Sequence, residues 1–306
     1  MTPKQRVIAA LELRQPDDIV PTFELEFQLT QELLGKDFID TRNLTGAELD
    51  RAIGYNADLL VEIAERLDYS IIRSGDIRVI KRLADMGVGE EYLLCGEADG
   101  TMAIPNGQNM VQVSVRLFEE PDQVKRELDA SADRAIEWGK KLIDAGAECL
   151  TMCADYCFNT GPFLSPKMFA EFVTPYLHRI IENHKRNGAY VIKHTDGNIM
   201  PILDQLVSCG PHALHSLDPQ AGVDIAEVKR LVGDKVCLAG NVNCGLLQTG
   251  TDEEVKENIL YSLKHGMPGG GYIFCTSNVA FKGMPLERYM MMMELREKYG
   301  RYDRKG

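Results

Sequence analysis

The chain lacks any run of about 18 uncharged apolar residues, the length a membrane helix needs. Its start, Met1-Thr2-Pro3-Lys4-Gln5-Arg6, leads into a segment broken by Arg and Glu instead of the apolar stretch of a secretory signal. Basic residues are in short supply: 34 Lys and Arg against 46 Asp and Glu leave a formal net charge of −12, which disfavours nucleic acid and anionic membrane as partners. No GxSxG elbow is present, so a hydrolase triad is not expected. The glycine-rich stretch Met267-Pro268-Gly269-Gly270-Gly271 matches neither GxGxxG nor the Walker pattern and reads as a tight turn. No glycine/serine linker divides the chain, so residues 1–306 are expected to form one domain, located in the cytoplasm.

What the chain does have is eight cysteines, expected to stay reduced and mostly to serve as small buried residues. It also alternates apolar runs with longer amphipathic stretches, the pattern of repeated βα units and a parallel sheet. Strands are expected near 19–25, 69–73, 110–116, 147–153, 189–194, 212–217, 235–240 and 271–276. Helices are expected near 45–67, 76–86, 121–144, 166–187, 198–208, 223–232, 252–265 and 285–299, several opened by a cap or an N1 proline, such as Ser165-Pro166 and Thr251-Asp252. Eight of each predict an α/β fold, a single (β/α)8 TIM barrel. An N-terminal helical extension occupies the first 18 residues. A small inserted hairpin is expected over 88–109, from the turn signals Asp99-Gly100 and Pro105-Asn106-Gly107. The charged tail from Arg301 onward is expected to fray.

In such a barrel the reactive groups lie at the carboxyl ends of the strands. Here those ends carry Glu24 and Glu26, Arg73, Cys153 and Asp155, His194 and Asp196, His215 and Asp218, Asn241 and Asn243, then Cys275 and Asn278. His194 and Asp196 are two apart in an extended segment, so their side chains point to one side. They can share a ligand, or simply pair to satisfy a buried hydrogen bond. Histidine, cysteine and carboxylate together suit zinc. The expected ligands are His194, Asp196 and Cys275. Glu24, Glu26, Asp155 and Asn241 are the catalytic candidates, with Glu24 or Glu26 as a replacement ligand or general base. Asn198, Asp218 and Asn278 are the candidates for cofactor contact. Cys275 as a plain buried residue, and Glu24 and Glu26 as acceptors for loop amides, are the structural alternatives.

Gly146-Ala147-Glu148, Gly161-Pro162-Phe163-Leu164-Ser165-Pro166, Lys193-His194-Thr195-Asp196-Gly197-Asn198, Leu238-Ala239-Gly240-Asn241-Val242 and Gly269-Gly270-Gly271-Tyr272-Ile273, in that order, resemble the uroporphyrinogen decarboxylase superfamily. The likeness covers most of residues 1–300 and implies a (β/α)8 barrel. The decarboxylases themselves carry an RQAGR-type motif after the first strand's proline and a late histidine. Here Pro21 is followed by Thr22-Phe23-Glu24-Leu25-Glu26, with carboxylates where those arginines would be, and Asn278 stands at the histidine's place. The second branch contains cobamide-dependent methyltransferases, whose coenzyme M enzymes hold zinc with an HxC pair and a later Cys. This chain keeps His194, has Asp196 for the first Cys, and has Cys275 a few residues before the second.

That resemblance implies a methyltransferase carrying a methyl group from a small methylated donor, such as an aryl methyl ether, to the cobalt of a separate corrinoid protein, with zinc assisting. The harder donor set suits polarising an ether oxygen. Tyr156, Phe158, Phe163 and Tyr272 are candidates for an aromatic slot or for packing. The chain has no DxHxxG segment, so the corrinoid is expected on a partner. A homodimer is among the expected assemblies. A decarboxylase and a non-catalytic corrinoid or tetrapyrrole binder are the alternatives.

Overall fold

The structure, a computed structural model, describes residues 1–302. Nine strands occur in chain order: β1 (Ile71–Arg73), β2 (Leu93–Glu97), β3 (Cys149–Met152), β4 (Cys157–Phe158), β5 (Gly161–Pro162), β6 (Tyr190–Thr195), β7 (Ala213–Ser216), β8 (Cys237–Val242) and β9 (Tyr272–Thr276). Seven of them form one curled parallel sheet in the order β1-β2-β3-β6-β7-β8-β9, while β4 and β5 make a separate antiparallel hairpin. An irregular segment closes the curl. Ser70 N donates to Thr22 O at 2.7 Å and Phe274 N to Pro21 O at 2.9 Å, and Thr22 bridges Phe274 in the parallel sense. Residues 21–22 thus sit between the two edge strands, the eighth stave of a (β/α)8 barrel without forming a regular strand.

Two expectations are corrected around the second stave. The segment 88–109 is not an inserted hairpin: Leu93–Glu97 is a barrel strand, in register with β1 through Ile71↔Leu93 and with β3 through Cys95↔Cys149. The segment 110–116 is not a strand but part of the helix Met110–Glu119. Its alternating Val111, Val113, Val115 and Leu117 mimic a period of two. With the slot between β1 and β3 filled, it coils instead and leaves Val111 75% and Phe118 74% exposed. The hairpin that does exist, β4 with β5, follows β3.

Helices cover the sheet. The Gly46–Arg66, Ile77–Asp85, Pro121–Asp144, Ile225–Val232, Asp252–Gly266 and Leu286–Tyr299 helices match expectation within two residues at each end. The span expected as 166–187 is split into Pro166–Phe172 and Thr174–Arg186 at Thr174-Pro175, where proline has no N–H for the first helix to use. The N-terminal extension is the helix Pro3–Leu11, opened by a capping box between Thr2 and Gln5. Of the tail expected to fray, Arg301 bridges Ile19, and residues 303–306 lie outside the described residues.

The barrel interior explains half of the cysteines. Cys95, Cys149, Cys237 and Cys275 pack with Phe23, Ile71, Leu93, Ile192, Ala213, Ala239 and Ile273 in one buried cluster. Small and branched side chains from successive strands fill the narrow centre, as a packed barrel core requires. Alternation then sets what comes above it. On β6, Ile192 lies in this cluster while Val191 faces the outer one, so His194, two residues after Ile192, points inward at the mouth.

Candidate metal centre

At the carboxyl ends of β3, β6 and β7 three side chains converge. His194 Nε2 lies 3.6 Å from Asp155 Oδ1 and 3.7 Å from Asp196 Oδ1, and one donor atom from each residue lies within 4.8 Å of the others. Donors on a shell of about 2.0–2.2 Å around one ion stand roughly 3.0–3.6 Å apart, so little motion would bring these three onto a cation. The histidine side chain is 5% exposed, while Asp196 at 28% and Asp155 at 45% open to solvent, leaving access from the mouth.

The surrounding contacts orient each group. Asp155 Oδ1 accepts from Asp196 N at 2.9 Å, and the Asp155 backbone carbonyl accepts from Ile104 N at 2.8 Å. Asp196 takes a hydrogen bond on each oxygen, from Ser216 Oγ at 2.7 Å and from Asn278 Nδ2 at 2.5 Å. His194 Nδ1 lies 2.8 Å from His215 Nδ1. Gly197 permits the turn beyond Asp196. Its φ is +81°, and a Cβ there would stand 2.4 Å from Cys157 O, so only glycine lets the β4-β5 hairpin press this closely.

The electrostatics lack a positive partner inside the group. Burial, with Asp155 and Asp218 nearby, pushes the Asp196 carboxyl up to about 7 despite the Ser216 hydrogen bond. Burial drives His194 well below the ordinary imidazole value, aided by His215, Lys193 and Arg73, so its ring is neutral and keeps a lone pair. A neutral imidazole beside two carboxyl groups that repel each other is a donor set a divalent cation would stabilise.

On the opposite face of β6, Lys193 is fully buried. Its Nζ bonds Asp99 Oδ2 at 3.0 Å and the carbonyls of Ala154 at 2.9 Å and Met152 at 3.2 Å, and lies over the Tyr156 ring at 4.3 Å. Asp99 in turn accepts from Ala154 N at 3.0 Å. This buried pair fixes the loop that carries Asp155.

Several anticipated residues stand elsewhere. Cys275 is not brought to the group. Its side chain is in the barrel core one layer below, 3.9 Å from Ile273 O, and burial and the nearby Glu24 raise its thiol well above the ordinary value. Asp155 takes the place expected for it. Glu24 turns to the helical layer, where it accepts from Thr276 N at 3.1 Å, Thr276 Oγ at 2.6 Å and Tyr289 Oη at 3.2 Å. Glu26 is exposed. Both line a cavity of about 660 Å3 beside the mouth, with Phe27, Tyr69 and Arg73, that includes none of the three converging residues. Asn241 does not face the mouth: its amide is used by Leu217 O at 2.8 Å and Ser262 Oγ at 3.2 Å, after Gly240 at φ +137° breaks the alternation. Asn198 and Asp218 cap short turns, accepting from Met200 N and Gln220 N. Of the aromatic slot, Tyr156 and Tyr272 are buried in packing, and Phe158 and Phe163 meet edge to face on the hairpin side.

Two further contributors are Ser216, which the sequence reading did not single out, and His215, named there as a strand-end residue without a role. Their signal lay in setting Lys193-His194-Thr195-Asp196 beside Leu214-His215-Ser216, two apolar runs each ending in a histidine and a hydroxyl residue. The register confirms the match, with His194↔His215 and Thr195↔Ser216.

Among the described residues no helix is long and apolar enough to cross a membrane. Similarity to known proteins fits this architecture. Uroporphyrinogen decarboxylases from Pseudoalteromonas translucida and Hydrogenovibrio crunogenus are 28% and 25% identical over 57% and 78% of this chain, covering 48% and 62% of their own lengths. The chain thus matches about half to three fifths of these relatives. A methyltransferase from Methanosarcina mazei superposes with a TM-score of 0.75 over 98% of this chain and 99% of its own, at 18% identity, which speaks to the fold. The model of the uroporphyrinogen decarboxylase (URO-D) family matches residues 101–299, from the loop after β2 to the end of the last helix, and the chain belongs to that family.

Proposed function

We propose that this protein is a methyltransferase of the family's cobamide-dependent branch, moving a methyl group from a small methylated donor, such as a methoxylated aromatic, to a separate corrinoid protein in the cytoplasm. The observation that carries the reading is the convergence of His194, Asp155 and Asp196 at the mouth. Zinc, or a similar divalent ion that accepts hard donors, would be held by these three and would supply Lewis-acid polarisation of the donor oxygen, which would leave as an alkoxide or phenolate when its methyl group is given up to the partner's corrinoid. His194 presents a neutral nitrogen, and Ser216 and Asn278 hold the Asp196 carboxylate by its two oxygens. The half-exposed Asp155 faces the solvent side, where a donor enters. The oxygen-rich set replaces the thiolates of a coenzyme M site and favours demethylation over thiol methylation.

Incubating the full chain with a reduced corrinoid protein and methoxylated aromatics tests this. Methylcobamide formation that stops on chelation and returns with zinc supports it. Transfer undiminished by chelation removes the cation's role, and no transfer from any methoxylated compound removes the donor class.

The decarboxylase relatives sustain a second reading. Glu24 does not repel a polycarboxylate as strongly as the sequence suggests, because burial pushes its carboxyl up to about 8 and keeps it uncharged near neutrality. The charge argument against that substrate therefore rests on Glu26 and on the Asp155 and Asp196 pair. Release of carbon dioxide from a porphyrinogen would favour this alternative.

A further inference from the structure

The end of β7 supplies two successive side chains to the metal centre. His215 and Ser216 lie opposite His194 and Thr195 in the sheet. Ser216 and Leu217 adopt φ of +92° and +50°, a region that residues with side chains rarely enter. That backbone aims Ser216 Oγ at the Asp196 oxygen facing His194, and Asn241 Nδ2 holds Leu217 O.

His215 has a narrower set of contacts. It is buried, with the Phe23 ring edge-on at 5.6 Å, and its hydrogen-bonding neighbour is His194, Nδ1 to Nδ1 at 2.8 Å. Two imidazole nitrogens at that distance hold one proton between them, so the rings must adopt opposite protonation at Nδ1. If His194 carries its proton on Nδ1, its Nε2 is a bare lone pair aimed at Asp155 and Asp196. His215 then carries its own proton on Nε2, which is buried and has no hydrogen-bond partner among the described residues. The reverse arrangement puts a proton on His194 Nε2, where it would block a cation.

We propose that His215 is the positioning residue of the metal centre: it accepts the Nδ1 proton of His194 and thereby holds His194 in the tautomer that offers Nε2 to a cation. The proposal rests on the cation reading above. Among the described residues the hydrogen-bond neighbour of His194 Nδ1 is His215 rather than a carboxylate or carbonyl, so an imidazole takes the part usually played by an oxygen acceptor.

The test uses the full chain, stripped of metal, and Zn2+ as the probe in competition with a chromophoric chelator. His215→Phe keeps the ring's bulk but has no acceptor, and is expected to weaken zinc binding by about 10- to 100-fold. His215→Gln, whose amide oxygen can accept the same proton, should recover most of the loss. In 15N-histidine-labelled wild type loaded with Zn2+, a scalar coupling across the hydrogen bond should join the two Nδ1 nuclei, a readout independent of whether the variants fold. Phe and wild type binding zinc within twofold, or no such coupling in the loaded wild type, would overturn the role of His215 while leaving the cation site standing. Wild type that binds no zinc would overturn both.

Discussion

At position 24 a carboxyl group is only 5% exposed, and the consequence can be read in pH. Burial raises Glu24 from 4.5 to about 8, against the lowering effect of its bonds from Thr276 and Tyr289. Between those two values the folded chain keeps a proton that the unfolded chain has released, so stability falls as pH rises through the window and levels off above it. When protonated, Oε2 can donate to the Thr276 hydroxyl across the same 2.6 Å. Glu24→Gln should remove this slope, and chemical denaturation of both proteins at pH 5 and pH 9 measures it. A loss of several kcal/mol is expected for the wild type relative to the variant, and parallel curves would show that Glu24 is solvated. Lys193 poses the opposite case, a buried cation whose partner is Asp99. Lys193→Met should cost about 3–5 kcal/mol by stranding Asp99, with part of that regained in the double variant Lys193→Met/Asp99→Asn. Urea titration of the two proteins checks the order, and a double variant no more stable than the single one would count against a true ion pair.

The elements that carry the site differ in how plainly the sequence announced them. β6 was legible because its apolar run is followed by His194, Asp196 and Gly197, a strand end with a turn. β2 was not, since Leu93–Glu97 is short and flanked by turn residues, while the valine alternation after it offered a better-looking strand. Local pattern could not decide between them. Only the slot between β1 and β3 does, and that is a long-range constraint. Cys275 departs from expectation for a related reason: β9 ends where the apolar run predicts, but the thiol lies in the barrel core, one layer below the mouth. Gly197 offers a test at this scale, because the hairpin carbonyls of Cys157 and Phe158 lie 2.4 and 2.7 Å from where a Cβ would stand. Gly197→Ala should displace the hairpin or the residues around Asp196, weakening zinc binding by at least tenfold with a modest fall in Tm. Unchanged zinc affinity would mean that the hairpin is not coupled to the carboxylate.

For the whole molecule, the alternation of apolar runs and amphipathic stretches gave the α/β barrel, and the strand-end rule gave the region of the site. His194, Asp196 and Asp155 were all visible at strand ends. What stayed hidden was which inward positions share a level, because that depends on the register between strands and on the break in β8 at Gly240. The excess of acid over base, −12 overall, adds an expectation for association: if a corrinoid protein docks at the mouth, binding should depend on ionic strength with a sign set by that partner's own charge.

The central claim is that Asp155, His194 and Asp196 hold one divalent ion. Elemental analysis of the purified full chain beside His194→Ala and Cys275→Ala tests it most directly. One equivalent of metal per chain, lost in His194→Ala and kept in Cys275→Ala, is the predicted result. Metal that survives His194→Ala, or that leaves with Cys275→Ala, would contradict it.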